Sequence, residues 1–160
     1  MIRTRSLLAA AAAAALLAAV GAGLPAGPAA AERTPPFTTV DLFLDSGENR
    51  LAAYQVEITY DRERVKVVGL EGGEARAFSD APHYDPAGMT GGRIVIAAFT
   101  TDDQAAPKGS GRVARLHLRV SGSGDPGLRV RVVTAAKPGG KRIDAKAGLR
   151  APAERKEERK

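Results

Sequence analysis

The sequence predicts an all-β domain built as an antiparallel β-sandwich of the jelly-roll or Greek-key type. Several short segments alternate apolar and polar residues, which is the pattern of half-buried strands. Clusters of Gly, Pro, Asp and Ser separate these segments, and no helical period occurs after the N-terminal apolar run. Six or seven short strands with frequent turns are typical of a sandwich. The chain has no Cys, so packing without disulfides must stabilise the fold.

The clearest strand pattern lies in residues 51–70, LAAYQVEITYDRERVKVVGL. Asp61 opens a charged break that suits a tight turn, because its carboxylate can accept the backbone N–H two residues on. A second strand begins at Val65. In the strand before the turn, the predicted core residues are Tyr54, Val56, Ile58 and Tyr60, and the predicted outward residues include Gln55, Glu57 and Thr59.

The same reasoning predicts four further strands, at residues 37–44, 93–100, 112–120 and 128–134. Residues 93–100 are almost wholly apolar and follow a Gly-Gly pair, which favours a central strand over a helix at this length. In residues 112–120 the predicted inward residues are Ala114, Leu116 and Leu118, and the predicted outward residues are Val113, Arg115, His117 and Arg119.

Residues 1–31 have the features of a signal peptide. Arg3 and Arg5 form a basic start, residues 7–20 are an apolar run that is short for a membrane span, and Ala29-Ala30-Ala31 offers a cleavage site. We therefore expect a secreted or envelope-located protein with no stable membrane span after cleavage. An uncleaved N-terminal anchor is the alternative.

Residues 137–160 differ in charge from the rest of the chain. They hold nine Lys or Arg against four Asp or Glu, whereas residues 32–136 hold thirteen against fourteen. The basic pI near 10.0 therefore belongs to the ends of the chain, which argues against nucleic-acid binding by a folded basic face. The prediction is one monomeric domain at residues 32–136 and a basic, disordered tail at residues 137–160.

Three short motifs, in this order, resemble the cohesin domain, a jelly-roll module of cellulose-degrading assemblies. Residues 58–61 (ITYD) are similar to that family's Tyr-Asp strand end, residues 92–97 (GRIVIA) to its central strand, and residues 109–116 (GSGRVARL) to its Gly-x-Gly strand entry. The resemblance covers roughly residues 38–133. It implies a non-catalytic module that binds a protein partner, of which a dockerin is the family's example.

No residue pattern predicts catalysis, a cofactor or a metal site. His83 and His117 are the two histidines of the chain, and neither has a second His or Cys at ligand spacing. No Gly-x-Ser-x-Gly motif supports a serine nucleophile. The acidic pair Asp102-Asp103 lacks the spacing of an EF-hand calcium loop. We therefore expect a protein that is not an enzyme.

Two binding functions remain open from the sequence. A protein interface needs an outward sheet face of mixed polar and apolar groups, and the candidate residues are Gln55, Glu57, Thr59, Arg115, His117 and Arg119. The alternative is a carbohydrate-binding module for extracellular or cell-wall polysaccharide, which stacks sugars on aromatic rings. The chain has no Trp, so the candidates for stacking are Phe43, Tyr84 and Phe99.

Overall fold

The computed structural model describes residues 37–122 and 124–151. They form two four-stranded antiparallel sheets, in the orders β3-β6-β1-β8 and β4-β5-β2-β7. The strands are β1 (Phe37–Asp45), β2 (Ala53–Thr59), β3 (Val65–Gly72), β4 (His83–Tyr84), β5 (Arg93–Phe99), β6 (Ser110–Val120), β7 (Arg129–Ala136) and β8 (Lys146–Arg150). The predicted antiparallel sandwich is therefore confirmed.

Helical structure within the described residues is limited to two short 3₁₀ turns, at Arg76–Phe78 and Pro86–Met89. No helix in this part of the chain is long and apolar enough to cross a membrane. The predicted signal peptide at residues 1–31 lies outside the described residues.

The two sheets pack through the faces that the sequence predicted to be apolar. In register, Val56 and Ile58 of β2 lie opposite Ile96 and Ile94 of β5. Burying each such side chain stabilises the fold by about 1.5–3 kcal/mol. The largest fully buried side chains come from both sheets and are Leu42, Leu44, Val56, Ile58, Val65, Ile94, Ile96, Leu116 and Leu118.

Tyr54 joins the two sheets by a hydrogen bond as well as by packing. Its hydroxyl donates to the backbone carbonyl of Val113 at 3.1 Å, so a residue of β2 contacts the backbone of β6. Its ring meets that of Phe78 edge to face, with centroids 5.2 Å apart. Burial raises the pKa of the Tyr54 hydroxyl, which keeps it protonated and able to donate. Tyr60 is also buried, as the sequence predicted.

The domain extends beyond residue 136, where the sequence analysis ended it. Lys146–Arg150 forms β8 and pairs with β1, so the prediction of a disordered tail is wrong for these residues. The sequence of β8, KAGLR, is short and has a basic residue at each end, so it shows too little alternation to be recognised as a strand. The strand conformation of β8 depends on pairing with β1 rather than on local pattern. Residues 152–160 of the predicted tail lie outside the described residues.

Ending the chain at residue 136 should destabilise the domain. β1 would lose one of its two partner strands, and Ala147 and Leu149 would no longer pack against the core. We expect a loss of about 2 kcal/mol or more in the free energy of unfolding. Urea denaturation of chains 32–136 and 32–151 measures this difference, and equal midpoints and slopes would show that β8 contributes nothing.

Ile58→Asp should unfold the domain, whereas Thr59→Asp should leave it folded. Ile58 has no exposed surface, and an unpaired buried carboxylate costs several kcal/mol, a large part of the stability of a small domain. Thr59 is on the opposite side of the strand, in register with Arg93 and Arg129. Thermal unfolding followed by circular dichroism separates the two variants. Equal stability would place β2 one residue out of register.

Candidate functional site

The six predicted binding residues lie on two opposite outer faces of the sandwich. Gln55, Glu57 and Thr59 are on β2, and their side is here called the β2 face, the outer side of β4-β5-β2-β7. Arg115, His117 and Arg119 are on β6, and their side is called the β6 face, the outer side of β3-β6-β1-β8. The structure therefore does not bring the two sets of residues together, and they cannot form one continuous binding surface.

On the β6 face, Arg115 is held by an acidic residue of the neighbouring strand. Its Nε and Nη2 atoms donate to the two carboxylate oxygens of Asp41, at 2.6 and 3.0 Å. Asp41 is only 6% exposed, although it points away from the core. The hydrogen bond to Asp41 raises the pKa of Arg115 further above its usual value. Arg115 thus serves a structural ion pair, and its role in binding a partner stays a prediction.

Two further basic residues of the β6 face have partners within the domain. His117 Nε2 lies 2.8 Å from Glu71 Oε1, and the guanidinium of Arg150 lies 4.4 Å from the ring centre of Phe43. Val68 is 45% exposed on β3. Phe37, at the start of β1 and in register with Arg119, is 67% exposed on the same face.

On the β2 face, one carboxylate holds two arginines. Glu57 Oε2 accepts from Arg93 Nε at 2.6 Å, and Glu57 Oε1 accepts from Arg131 Nε at 2.8 Å. The Glu57 side chain is only 9% exposed, whereas those of Arg93 and Arg131 are 60% and 63% exposed. Glu57 therefore points outward as predicted, but the two arginines cover it.

The hydrogen bonds from these arginines lower the pKa of Glu57, with Arg131 the largest cause, although desolvation acts in the opposite direction. Glu57 is thus ionised at neutral pH. Arg93 and Arg131 were not among the predicted site residues. They are 36 and 74 positions from Glu57 in sequence, so only the pairing of β5 and β7 with β2 brings them together.

The other end of the β2 face is apolar. Phe99 is 65% exposed and stacks on His83, with ring centroids 6.3 Å apart and an interplanar angle of 15°. In register, Phe99 lies opposite Ala53, and Val133 on β7 is also exposed. A groove of about 360 Å³ runs from Phe99 to the turn at residues 137–140.

The three aromatic residues proposed for sugar stacking do not form one row. Phe43 belongs to the β6 face, where Arg150 covers its ring. Phe99 belongs to the β2 face. Tyr84 is opposite Ile96, a core residue, so it alternates with His83 and is on the other side of β4. A planar aromatic platform is therefore not present among the described residues.

Two acidic residues, Asp102 of the predicted acidic pair and Asp85 near His83, accept hydrogen bonds within turns. The carboxylate of Asp102 accepts from the backbone N–H groups of Gln104 and Ala105. Asp85, beside His83, accepts from the N–H of Ala87 at the start of a 3₁₀ turn. No group of three or more His, Cys, Asp or Glu able to hold a metal ion occurs in residues 37–122 and 124–151.

Arg115→Glu should destabilise the domain by about 3 kcal/mol, because it leaves the buried carboxylate of Asp41 without its partner and adds a second negative charge beside it. Arg119→Glu, two residues along the same strand, should change the free energy of unfolding by less than about 0.5 kcal/mol. Chemical denaturation of both variants measures the difference. Two equally mild effects would show that the Asp41–Arg115 pair is dispensable.

Comparison with known proteins finds similarity of fold rather than of sequence. No family model and no curated protein matches the chain. A chain of the type I cohesin–dockerin complex containing Coh-OlpA, from Clostridium thermocellum, is 17% identical over 70% of this chain and 84% of that one, with a TM-score of 0.55. The complex containing Coh-OlpC, from the same organism, gives 14% identity, coverages of 72% and 85%, and a TM-score of 0.52.

A non-cellulosomal cohesin from the archaeon Archaeoglobus fulgidus is 12% identical over 69% of this chain and 75% of that one, with a TM-score of 0.51. These structures agree with the resemblance that the sequence motifs indicated. Together with the two antiparallel four-stranded sheets, they show that the chain has a cohesin-like fold.

Proposed function

We propose that this protein is an exported, non-catalytic module that binds a protein partner, of the dockerin type or another, through its β2 face. The observation that carries this proposal is the composition of that face. An exposed aromatic ring at Phe99 and two exposed arginines at Arg93 and Arg131 share one sheet surface. Aromatic residues and Arg are the side chains that protein interfaces favour most.

The choice of the β2 face over the β6 face rests on how each face uses its charges. On the β6 face, Arg115 and His117 are paired with Asp41 and Glu71 inside the domain. A partner would have to compete with those contacts. On the β2 face the arginines keep most of their surface exposed while Glu57 holds them in place. Side chains that are fixed before binding lose less conformational entropy when a partner arrives.

The likeness of fold is the reason for proposing a protein as the partner. Two of the structures with similar folds are described as cohesin–dockerin complexes. At 12–17% identity they support the fold only, so a dockerin-type partner is part of the proposal. Export rests on the features of residues 1–31, with cleavage proposed after Ala31.

Polysaccharide binding is the second candidate function, and one observation favours it. Phe99 and His83 offer two stacked rings, of which Phe99 is widely exposed. A sugar ring could pack on the free face of Phe99. The separation of Phe43 and Tyr84 from Phe99 leaves this single contact, which is why a protein partner is preferred.

Phe99→Ala should weaken binding of the protein partner at least tenfold, because an exposed aromatic at an interface is a common hot spot. Val68→Ala, on the β6 face, should leave binding unchanged. The partner is first captured on immobilised protein, either from secreted proteins of the producing organism or from a set of dockerin modules. Its affinity for both variants is then measured by calorimetry with purified components.

The same purified proteins should be tested for retention on insoluble cellulose and on cell-wall polysaccharide. Retention that Phe99→Ala abolishes, with no protein partner captured, would support the carbohydrate alternative instead. A partner whose affinity falls with Val68→Ala and not with Phe99→Ala would move the interface to the β6 face.

A further inference from the structure

We propose that the cluster of Arg93, Glu57 and Arg131, here called the arginine clamp, selects a partner that presents acidic side chains to the β2 face. This inference rests on the proposed function and specifies the chemistry of the partner at that site. It concerns a positively charged patch on one face of a domain whose residues 32–151 hold eighteen basic and fifteen acidic residues.

The clamp leaves hydrogen-bond donors available to a partner. A guanidinium carries five N–H donors in a planar fork. Arg93 uses Nε and Nη2 on Glu57 Oε2, and Arg131 uses Nε on Glu57 Oε1. Neither arginine side chain makes another hydrogen bond or ion pair to the described residues. N–H donors of both side chains therefore remain for carboxylate oxygens, the acceptors that a guanidinium fits best.

The charge of the clamp is positive after Glu57 is counted. Two arginines and one carboxylate give a net charge of +1, and Arg129, in register with Thr59 on the same face, adds another positive charge. Glu57 holds the two guanidinium groups side by side across the central strand, between β5 and β7. Without this carboxylate the two arginines would repel each other and move apart, so Glu57 is a positioning residue for the clamp.

The neighbouring apolar surface indicates an acidic protein segment rather than a nucleic acid or a free anion. Phe99 and Ala53 occupy the other end of the same face, and Val133 is exposed at the bulge of β7 between that end and Arg131. An acidic segment with an apolar side chain could contact both ends at once. A polyanion would use the clamp and leave Phe99 in contact with water. An acidic protein segment matches both the positive charge of the clamp and the apolar surface beside it, so we propose a protein partner.

The test uses a synthetic ten-residue peptide that repeats two glutamates and one leucine, added to the ¹⁵N-labelled protein. The Nε–Hε resonances of Arg93 and Arg131 should shift with peptide concentration, and those of Arg115 and Arg119 should not. Arg131→Gln should weaken peptide binding about fivefold or more, since a charge-assisted contact is lost. Arg119→Gln is the matched control, because it removes the same charge from the β6 face and should leave the affinity unchanged.

Raising the salt concentration should weaken binding of the peptide, because exposed charge contacts are screened within about 8–10 Å at physiological ionic strength. Equal affinity for Arg131→Gln and the unmodified protein would overturn the proposal, as would shifts at Arg119 in place of Arg93 and Arg131. Inorganic polyphosphate that binds the clamp as tightly as the peptide would overturn the choice of a protein partner.

The arginine clamp and the proposed function can fail independently of each other. If Phe99→Ala weakens the natural partner and Arg131→Gln does not, the clamp inference fails alone. If the acidic peptide binds at the clamp but no protein partner depends on Phe99, the proposed function fails alone.

Discussion

The packing of two apolar sheet faces against each other is the interaction on which every other feature of this domain depends. The chain has no Cys, and the hydrogen bond from Tyr54 to Val113 joins the two sheets within that packed layer. Because side chains alternate along a strand, burying Val56 and Ile58 also decides that Gln55 and Glu57 face outward. The core therefore fixes both the stability of the fold and the composition of its outer faces.

The two outer faces use their charges differently, and this difference follows from strand order. On the β6 face, β1 supplies Asp41 beside Arg115, so the charge of that arginine is neutralised by one acidic neighbour. On the β2 face, β5 and β7 place an arginine on each side of Glu57. One carboxylate cannot neutralise two guanidinium groups. The β2 face thus keeps positive charge next to the exposed ring of Phe99, and this combination is what makes it suited to a partner.

The sequence predicted the parts of the structure that local alternation encodes. β2 was assigned with correct inward and outward sides. β6 was assigned correctly from Ala114 onward, but Val113, predicted to point outward, is buried where a bulge interrupts the pairing of β1 and β6. The cohesin-like fold was recognised from short motifs. β4 and β8 were missed, because two residues near prolines and five residues with basic ends carry no periodic signal. The ion pairs of the two faces were also missed. Asp41 and Arg115 are 74 residues apart, so their contact follows from strand pairing and not from any local pattern.

Hydroxyl-radical footprinting of the complex shows directly whether the β2 face contacts the partner. Solvent-exposed aromatic and aliphatic side chains are oxidised unless a partner covers them, and mass spectrometry locates the modified residues. We expect the captured partner to lower the oxidation of Phe99 and Val133 and to leave that of Val68, on the β6 face, unchanged. Protection of Val68 with Phe99 still fully oxidised would contradict this expectation.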